Sequence, residues 1–243
     1  MPFSIDKRNI IFEDNHLLVV DKPAGIATMG AIEGEPTVAE LAKEYLKRTY
    51  NKPGNVYLGI VSRLDARVSG VIVFARTSKA AARLNEQFKN RTTKKSYRAI
   101  VSAAGQGQRS LDRLPDYGTL EHWVYKDEPA HRMRCLAQDT PAKKLPRDAK
   151  NASLSWTKIG HDKQQTLVEV KLHTGRKHQI RCQFAFAGFP VVGDKKYGSS
   201  AKFSGKGIAL HSQSLEITHP TLKSPMEFQA KVPESWNVAK FIV

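Results

Sequence analysis

Ser62-Arg63-Leu64-Asp65-Ala66-Arg67-Val68-Ser69-Gly70 sets one carboxylate between two arginines and closes on Ser-Gly before an apolar run, Val71-Ile72-Val73-Phe74-Ala75. Five consecutive apolar residues after a glycine read as a short buried strand. The charges ahead of it therefore belong to the loop that enters the strand. Flanking guanidinium groups hold Asp65 ionised. An ionised aspartate in a partly enclosed, cationic place can act as a nucleophile or a base.

Toward the N-terminus, Ile10 to Phe12 and His16 to Val20 read as two short strands around the turn Glu13-Asp14-Asn15. Asp21-Lys22-Pro23-Ala24-Gly25 breaks the second strand into a loop. Pro36-Thr37 opens an amphipathic helix with Val38, Leu41, Ala42, Tyr45 and Leu46 on one face. Thr77-Ser78 caps a second helix, reaching Asn90 with Ala81, Ala82, Leu84 and Phe88 inward.

Toward the C-terminus, a cationic run (Lys89, Arg91, Lys94, Lys95, Arg98) leads into a strand at Tyr97 to Val101. Residues 103–152 are the least regular, with short strands expected at 122–125 and 133–136. Leu167 to Leu172 alternates with period two and reads as a strand, and 176–187 as a helix with Ile180, Phe184 and Ala187 on one face. Further strands are expected at 208–210, 215–218 and 226–230. The mixture predicts an α+β fold around a mixed, largely antiparallel sheet flanked by helices and loops.

A chain of 243 residues with 40% hydrophobic content is neither disordered nor built of membrane spans. Two cysteines, Cys135 and Cys182, exclude a disulfide framework, and the N-terminus lacks the order of a secretory signal; a cytoplasmic location is expected. The balance of 39 basic against 23 acidic residues leaves +16, and the pI is about 9.9. Such a surplus repels itself in the compact state unless a polyanion is the partner, which points to nucleic acid.

Four further groups complete the pattern: Lys95-Ser96-Tyr97-Arg98-Ala99; His173-Thr174-Gly175-Arg176-Lys177-His178-Gln179-Ile180-Arg181; Gly193-Asp194-Lys195-Lys196-Tyr197-Gly198; and Leu210-His211 with His219-Pro220. With Asp21-Lys22-Pro23-Ala24-Gly25 and Arg63-Leu64-Asp65, this order resembles the RluA family of RNA pseudouridine synthases over residues 10–230. The resemblance implies the pseudouridine-synthase catalytic fold and isomerisation of uridine in structured RNA, transfer or ribosomal, without metal or organic cofactor. The N1–C1′ bond is broken, the uracil turns, and it is rejoined through C5.

Residue by residue, the resemblance makes Asp65 the catalytic aspartate, which attacks the nucleotide at ribose C1′ or base C6 or assists bond cleavage. Tyr97 becomes the tyrosine against the uracil that accepts a proton from C5, and Arg181 the cation paired with the aspartate. Arg63 fills the space left by the flipped uridine, which offsets part of a flipping cost of a few kcal/mol. Leu64 and Ile180 provide substrate contacts, and Arg176 and His178 position RNA. Lys94, Lys95 and Lys177 suit phosphate contact or a solvated face equally. Asp21 and Lys22 shape the loop beside the site, and Arg67 has no assigned role. Two positions depart from the family pattern: Ser62 replaces a common histidine before Arg-Leu-Asp, and Val68 replaces a threonine.

Two other classes compete. A metal enzyme would draw on His173, His178 and Cys182, with His178 and Cys182 four apart on the expected helix. No convincing closed ligand set accompanies them. A non-catalytic RNA-binding protein would carry the same charge but has no need of Asp65, Tyr97 and Arg181 together. The whole chain, 1–243, reads as a single catalytic domain without a separate RNA-binding domain. The remaining expectations are a monomer that binds neither DNA nor membrane.

Overall fold

The computed structural model describes residues 3–30, 34–103 and 114–242, within which the chain forms eleven strands and three α-helices. It divides into two compact units, Met1–Lys95 with His211–Val232 and Ser96–Leu210 with Pro233–Val243. The α+β class and the mixed, largely antiparallel strand pairing match the expectation from sequence.

The first unit is built around the run that follows Gly70. Strand β4 (Ser69–Ala75) pairs antiparallel with β2 (Leu17–Lys22), Val19 opposite Val73, and β2 pairs in turn with β1 (Ile10–Glu13). The short β3 (Gly59–Ile60) also pairs with β4. Strand β10 (Leu210–Thr218) joins β4 in parallel, His211 beside Ser69 and Ser212 beside Gly70, and carries β11 (Pro225–Gln229) antiparallel. This is the one parallel pairing described.

Both faces of β2 and β4 are covered. Leu18, Val20, Ile72 and Phe74 face helix α1 (Val38–Thr49), while Leu17, Val19, Val71 and Val73 face α2 (Ser78–Asn90) with Leu215, Ile217 and Phe228. Burial on two sides is why these strands read as unbroken apolar runs. Burying Val38, Leu41 and Leu46 beneath α1 contributes roughly 1.5–3 kcal/mol each.

Both helices begin where their caps dictate. The Thr37 hydroxyl accepts from the Glu40 amide at 3.2 Å while the Glu40 carboxylate accepts from the Thr37 amide at 2.8 Å. This reciprocal pair satisfies two otherwise orphan donors. The Thr77 hydroxyl accepts from the Ala80 amide at 3.2 Å.

In the second unit five strands run antiparallel in the order β5 (Lys94–Val101), β9 (Thr166–Leu172), β8 (Lys150–His161), β6 (Tyr117–Asp127), β7 (Arg132–Ala137). Helix α3 (Gln179–Phe186) lies against β6 and β7. Val124, Cys135, Ala152, Cys182 and Tyr197 form a small core there.

Three expectations need correction. The region 103–152 is far more regular than its composition suggests: β6 alone runs eleven residues and β8 opens at Lys150; residues 104–113 of that region lie outside the described residues. On β8 the buried side is Ala152, Leu154 and Trp156, separated by serines. A period of two is present, but small and polar residues dilute it.

The segments 208–210 and 215–218 belong mostly to one strand, β10. Its middle, His211-Ser212-Gln213-Ser214, is polar, yet His211 and Ser212 are buried with their side chains hydrogen-bonded internally. Helix 176–187 begins three residues late because His178 is left-handed, at φ 52°. Among the described residues no helix is long and apolar enough to cross a membrane.

Candidate functional site

The loop that carries Asp65 is held chiefly by backbone. One Asp65 carboxylate oxygen accepts from the Arg67 amide at 2.8 Å, and the Asp65 carbonyl accepts from the Val68 amide at 3.1 Å, closing a turn. Such an Asx turn orients the carboxylate through the chain's own backbone. On the near side, the Thr28 hydroxyl donates to the Leu64 carbonyl at 2.8 Å and accepts from the Leu64 amide at 3.1 Å. The Gly25 amide donates to the Ala66 carbonyl at 2.7 Å. The two loops are thereby laced together at residues 64 and 66.

Lys22 binds the lacing from below. Its side chain is fully buried, and its ammonium donates to the carbonyls of Pro23 (2.9 Å), Ile26 (2.8 Å) and Ala66 (3.3 Å). Burial lowers its pKa to about 8, an effect opposed by the negative charge of Asp65. The lysine thus joins the two loops and sets a positive charge within electrostatic reach of the carboxylate. Burial pushes the neighbouring Asp21 carboxyl up to about 6. Lys22 does shape the loop, as the sequence suggested.

At the other end of the loop, Gly70 sits at φ +108°, and a β-carbon there would lie 2.2 Å from the Ser212 carbonyl oxygen. Only glycine permits that approach of β4 to β10. Beside it the Ser69 hydroxyl meets His211 Nδ1 at 2.9 Å, and His211 Nε2 donates to the Ala230 carbonyl at 3.2 Å. Burial lowers the His211 pKa to about 4, so the ring is neutral and accepts from Ser69. Val68 is buried, which suits an apolar side chain where the family pattern has threonine. Arg63 is exposed, and Leu64 packs against the core under α1.

The second group is held by side chains. Arg181, on α3, makes a bidentate ion pair with Asp194: Nε to Oδ2 at 2.6 Å and Nη2 to Oδ1 at 2.7 Å. Both side chains are buried, at 3% and 0% exposure. The guanidinium lies 4.8 Å from the centre of the Tyr197 ring. The Tyr197 hydroxyl accepts from the Met133 amide at 3.1 Å and meets His178 Nδ1 at 2.9 Å. Burial raises the Tyr197 pKa to about 12. Ile180 is buried beside Arg181, and Tyr97 is buried on β5 opposite Val170.

The turn ahead of α3 is fixed by Gln179, whose side-chain oxygen accepts from the Thr174 hydroxyl (2.8 Å) and the Arg176 amide (2.9 Å). Arg176 Nε donates to the Asn151 carbonyl at 3.0 Å, while Lys177 is exposed. Lys94 pairs with Glu216 at 2.7 Å and Lys95 lies over the Phe88 ring.

His178 and Cys182 do not share a helix as expected: His178 precedes α3, and the Cys182 thiol lies 2.8 Å from that of Cys135. Among the described residues no group of three His, Cys, Asp or Glu is gathered as for a metal.

Asp194 received no role from sequence. An acid between Gly193 and two lysines reads as their local partner, and nothing in spacing links it to an arginine thirteen positions earlier.

Residues 16–186 match the family described as RNA pseudouridylate synthase. The chain is 32% identical to "Ribosomal large subunit pseudouridine synthase D" of Xanthomonas campestris pv. campestris over 93% of its own length and 66% of that protein's. It is 31% identical to "Dual-specificity RNA pseudouridine synthase RluA" of Haemophilus influenzae, covering 92% of each chain. The solved structure of "Human RNA Pseudouridylate Synthase Domain Containing 4" shares its fold, with a TM-score of 0.76 over 97% of this chain and 94% of that one at 20% identity. A family match over most of the chain, relatives near one-third identity and a common fold agree: the chain belongs to the RNA pseudouridylate synthase family.

Proposed function

We propose that this protein isomerises uridine to pseudouridine in structured RNA, transfer or ribosomal, with Asp65 as nucleophile. The carrying observation is the Asp65 turn: a half-buried carboxylate, oriented by its own backbone, with a buried ammonium in electrostatic reach. Asp65 attacks the nucleotide, the N1–C1′ bond breaks, and the uracil turns to present C5 to C1′. The new C5–C1′ bond forms, the bond from the Asp65 oxygen to the nucleotide breaks to restore the carboxylate, Tyr97 takes the proton lost from C5, and N1 ends protonated. Arg181 supplies positive charge that keeps the nucleophile ionised. Arg63, exposed two residues before Asp65, occupies the stack vacated by the flipped uridine. Leu64 and Ile180 contact the base, and Arg176 and His178 support the RNA-facing turn.

The basic balance of the chain supports RNA as partner, with affinity that falls steeply as salt rises. The test is tritium release from RNA labelled at uracil C5. Wild-type protein should release tritium, and Asp65→Asn should bind the same RNA yet lose about 10⁴-fold or more in rate. Binding without release by the wild type would make the protein an RNA binder, and full turnover by Asp65→Asn would remove the nucleophile from the scheme.

A further inference from the structure

The motif Gly193-Asp194-Lys195-Lys196-Tyr197-Gly198 stands outside the reaction described above, yet its two largest interior groups converge on Arg181. We infer that Asp194 is a positioning residue for catalysis, aiming the Arg181 guanidinium, with Tyr197 as the plane on which that guanidinium rests. The inference rests on the assignment of Arg181 to the reaction.

The geometry is specific. Asp194 takes the Nε–Nη2 edge of the guanidinium with both carboxylate oxygens, at 2.6 and 2.7 Å, in the fork geometry that fixes the arginine plane. The Tyr197 ring, 4.8 Å away, limits tilt, and Tyr197 is itself tied to the Met133 amide and His178. With the Nε–Nη2 edge occupied, any acceptor in the reaction must use the N–H groups of Nη1 or the outer N–H of Nη2. Asp194 is held as firmly: its amide donates to the Val191 carbonyl at 3.0 Å and its carbonyl accepts from the amides of Tyr197 and Ser199. It has no exposed surface, so substrate contact is not its role. Aim matters because electrostatic help to a reacting group depends on donors fixed in place before the reaction.

Asp194→Asn and Asp194→Glu distinguish aiming from packing. Asparagine matches the shape of aspartate but offers only one acceptor and loses the charge; glutamate keeps the carboxylate and is one methylene too long. Aiming predicts that Asp194→Asn lowers the single-turnover rate at saturating protein by about a hundredfold. It also predicts that Asp194→Glu stays within about tenfold of wild type. RNA affinity should change by less than about twofold in both. A packing role predicts the reverse order, a harmless asparagine and a damaging glutamate, and would overturn the inference. Loss of fold, read by circular dichroism, together with loss of RNA binding in Asp194→Asn would assign the carboxylate to folding and equally overturn it. Wild-type protein without tritium release would take down the proposed function and this inference together; wild-type release with unimpaired Asp194→Asn overturns the inference alone.

Discussion

Asp65 and Arg181 are held in opposite ways. The Asp65 loop is bound by main-chain groups, one hydroxyl and one buried ammonium, and its carboxylate keeps a half-exposed position. Arg181 is bound by other side chains, in a buried pair closed to solvent. The difference fits the tasks that the proposed reaction gives to each group. A nucleophile has to meet a substrate from outside, so its support comes from behind and beside it. A cation that serves as support has no such need and can be locked on several sides. Backbone support tolerates changes of side chain but not of backbone; side-chain support behaves the other way.

The sharpest way to break the first arrangement is Gly70→Ala. A β-carbon 2.2 Å from the Ser212 carbonyl, on a backbone at φ +108°, forces β4 and β10 apart where the Asp65 loop ends. The expected cost is about 3–5 kcal/mol in urea unfolding, with loss of turnover in what remains folded. An unchanged midpoint would show that the strands give way without strain.

Lys22 provides the next effect, through pH. Its pKa is about 8 in the folded protein against 10.5 ordinarily, so between these values the unfolded chain holds a proton that the native state has shed. Stability from this group therefore rises with pH across that window, by up to about 3 kcal/mol. Turnover should move the other way, falling above pH 8 as the positive charge near Asp65 disappears. Lys22→Met should abolish both trends, giving a flat difference in unfolding free energy and no alkaline limb in the rate. A rate that rises through pH 9 in the wild type would exclude Lys22 from supporting the carboxylate.

Tyr197→Phe sharpens the other side of the comparison with the smallest effect. The ring under Arg181 stays, while the Met133 amide and His178 lose their partner. Thermal unfolding should show about 1–2 kcal/mol of destabilisation, with a rate close to wild type because the guanidinium remains aimed by Asp194. A rate loss as large as that of Asp194→Asn would move the aiming function to the hydroxyl.

Sequence legibility follows the same division. The first unit is legible at its caps, Thr37 and Thr77, in the doubly buried runs of β2 and β4 and in the Asp65 segment at the entry to β4, but not through the middle of β10. Each is a local signal, where neighbouring residues satisfy or bury one another. In the second unit, residues 103–152 and the start of α3 are poorly legible. There the strands are diluted by serines and charges, and the helix start is decided by Gln179 reaching back to Thr174 and Arg176. The polar middle of β10 is illegible for a related reason, since His211 and Ser212 look solvent-facing until their distant partners are known.

By itself the sequence determined the class of fold, the order of motifs and the carboxylate to watch, because spacing and residue type carry those. Tertiary structure alone decided the partners of the buried charges: Lys22 with three carbonyls, His211 with Ser69 and Ala230, Arg181 with Asp194. A buried charge or polar group must be paired to be tolerated. The pairing is chosen by proximity in the folded chain, which linear spacing does not encode.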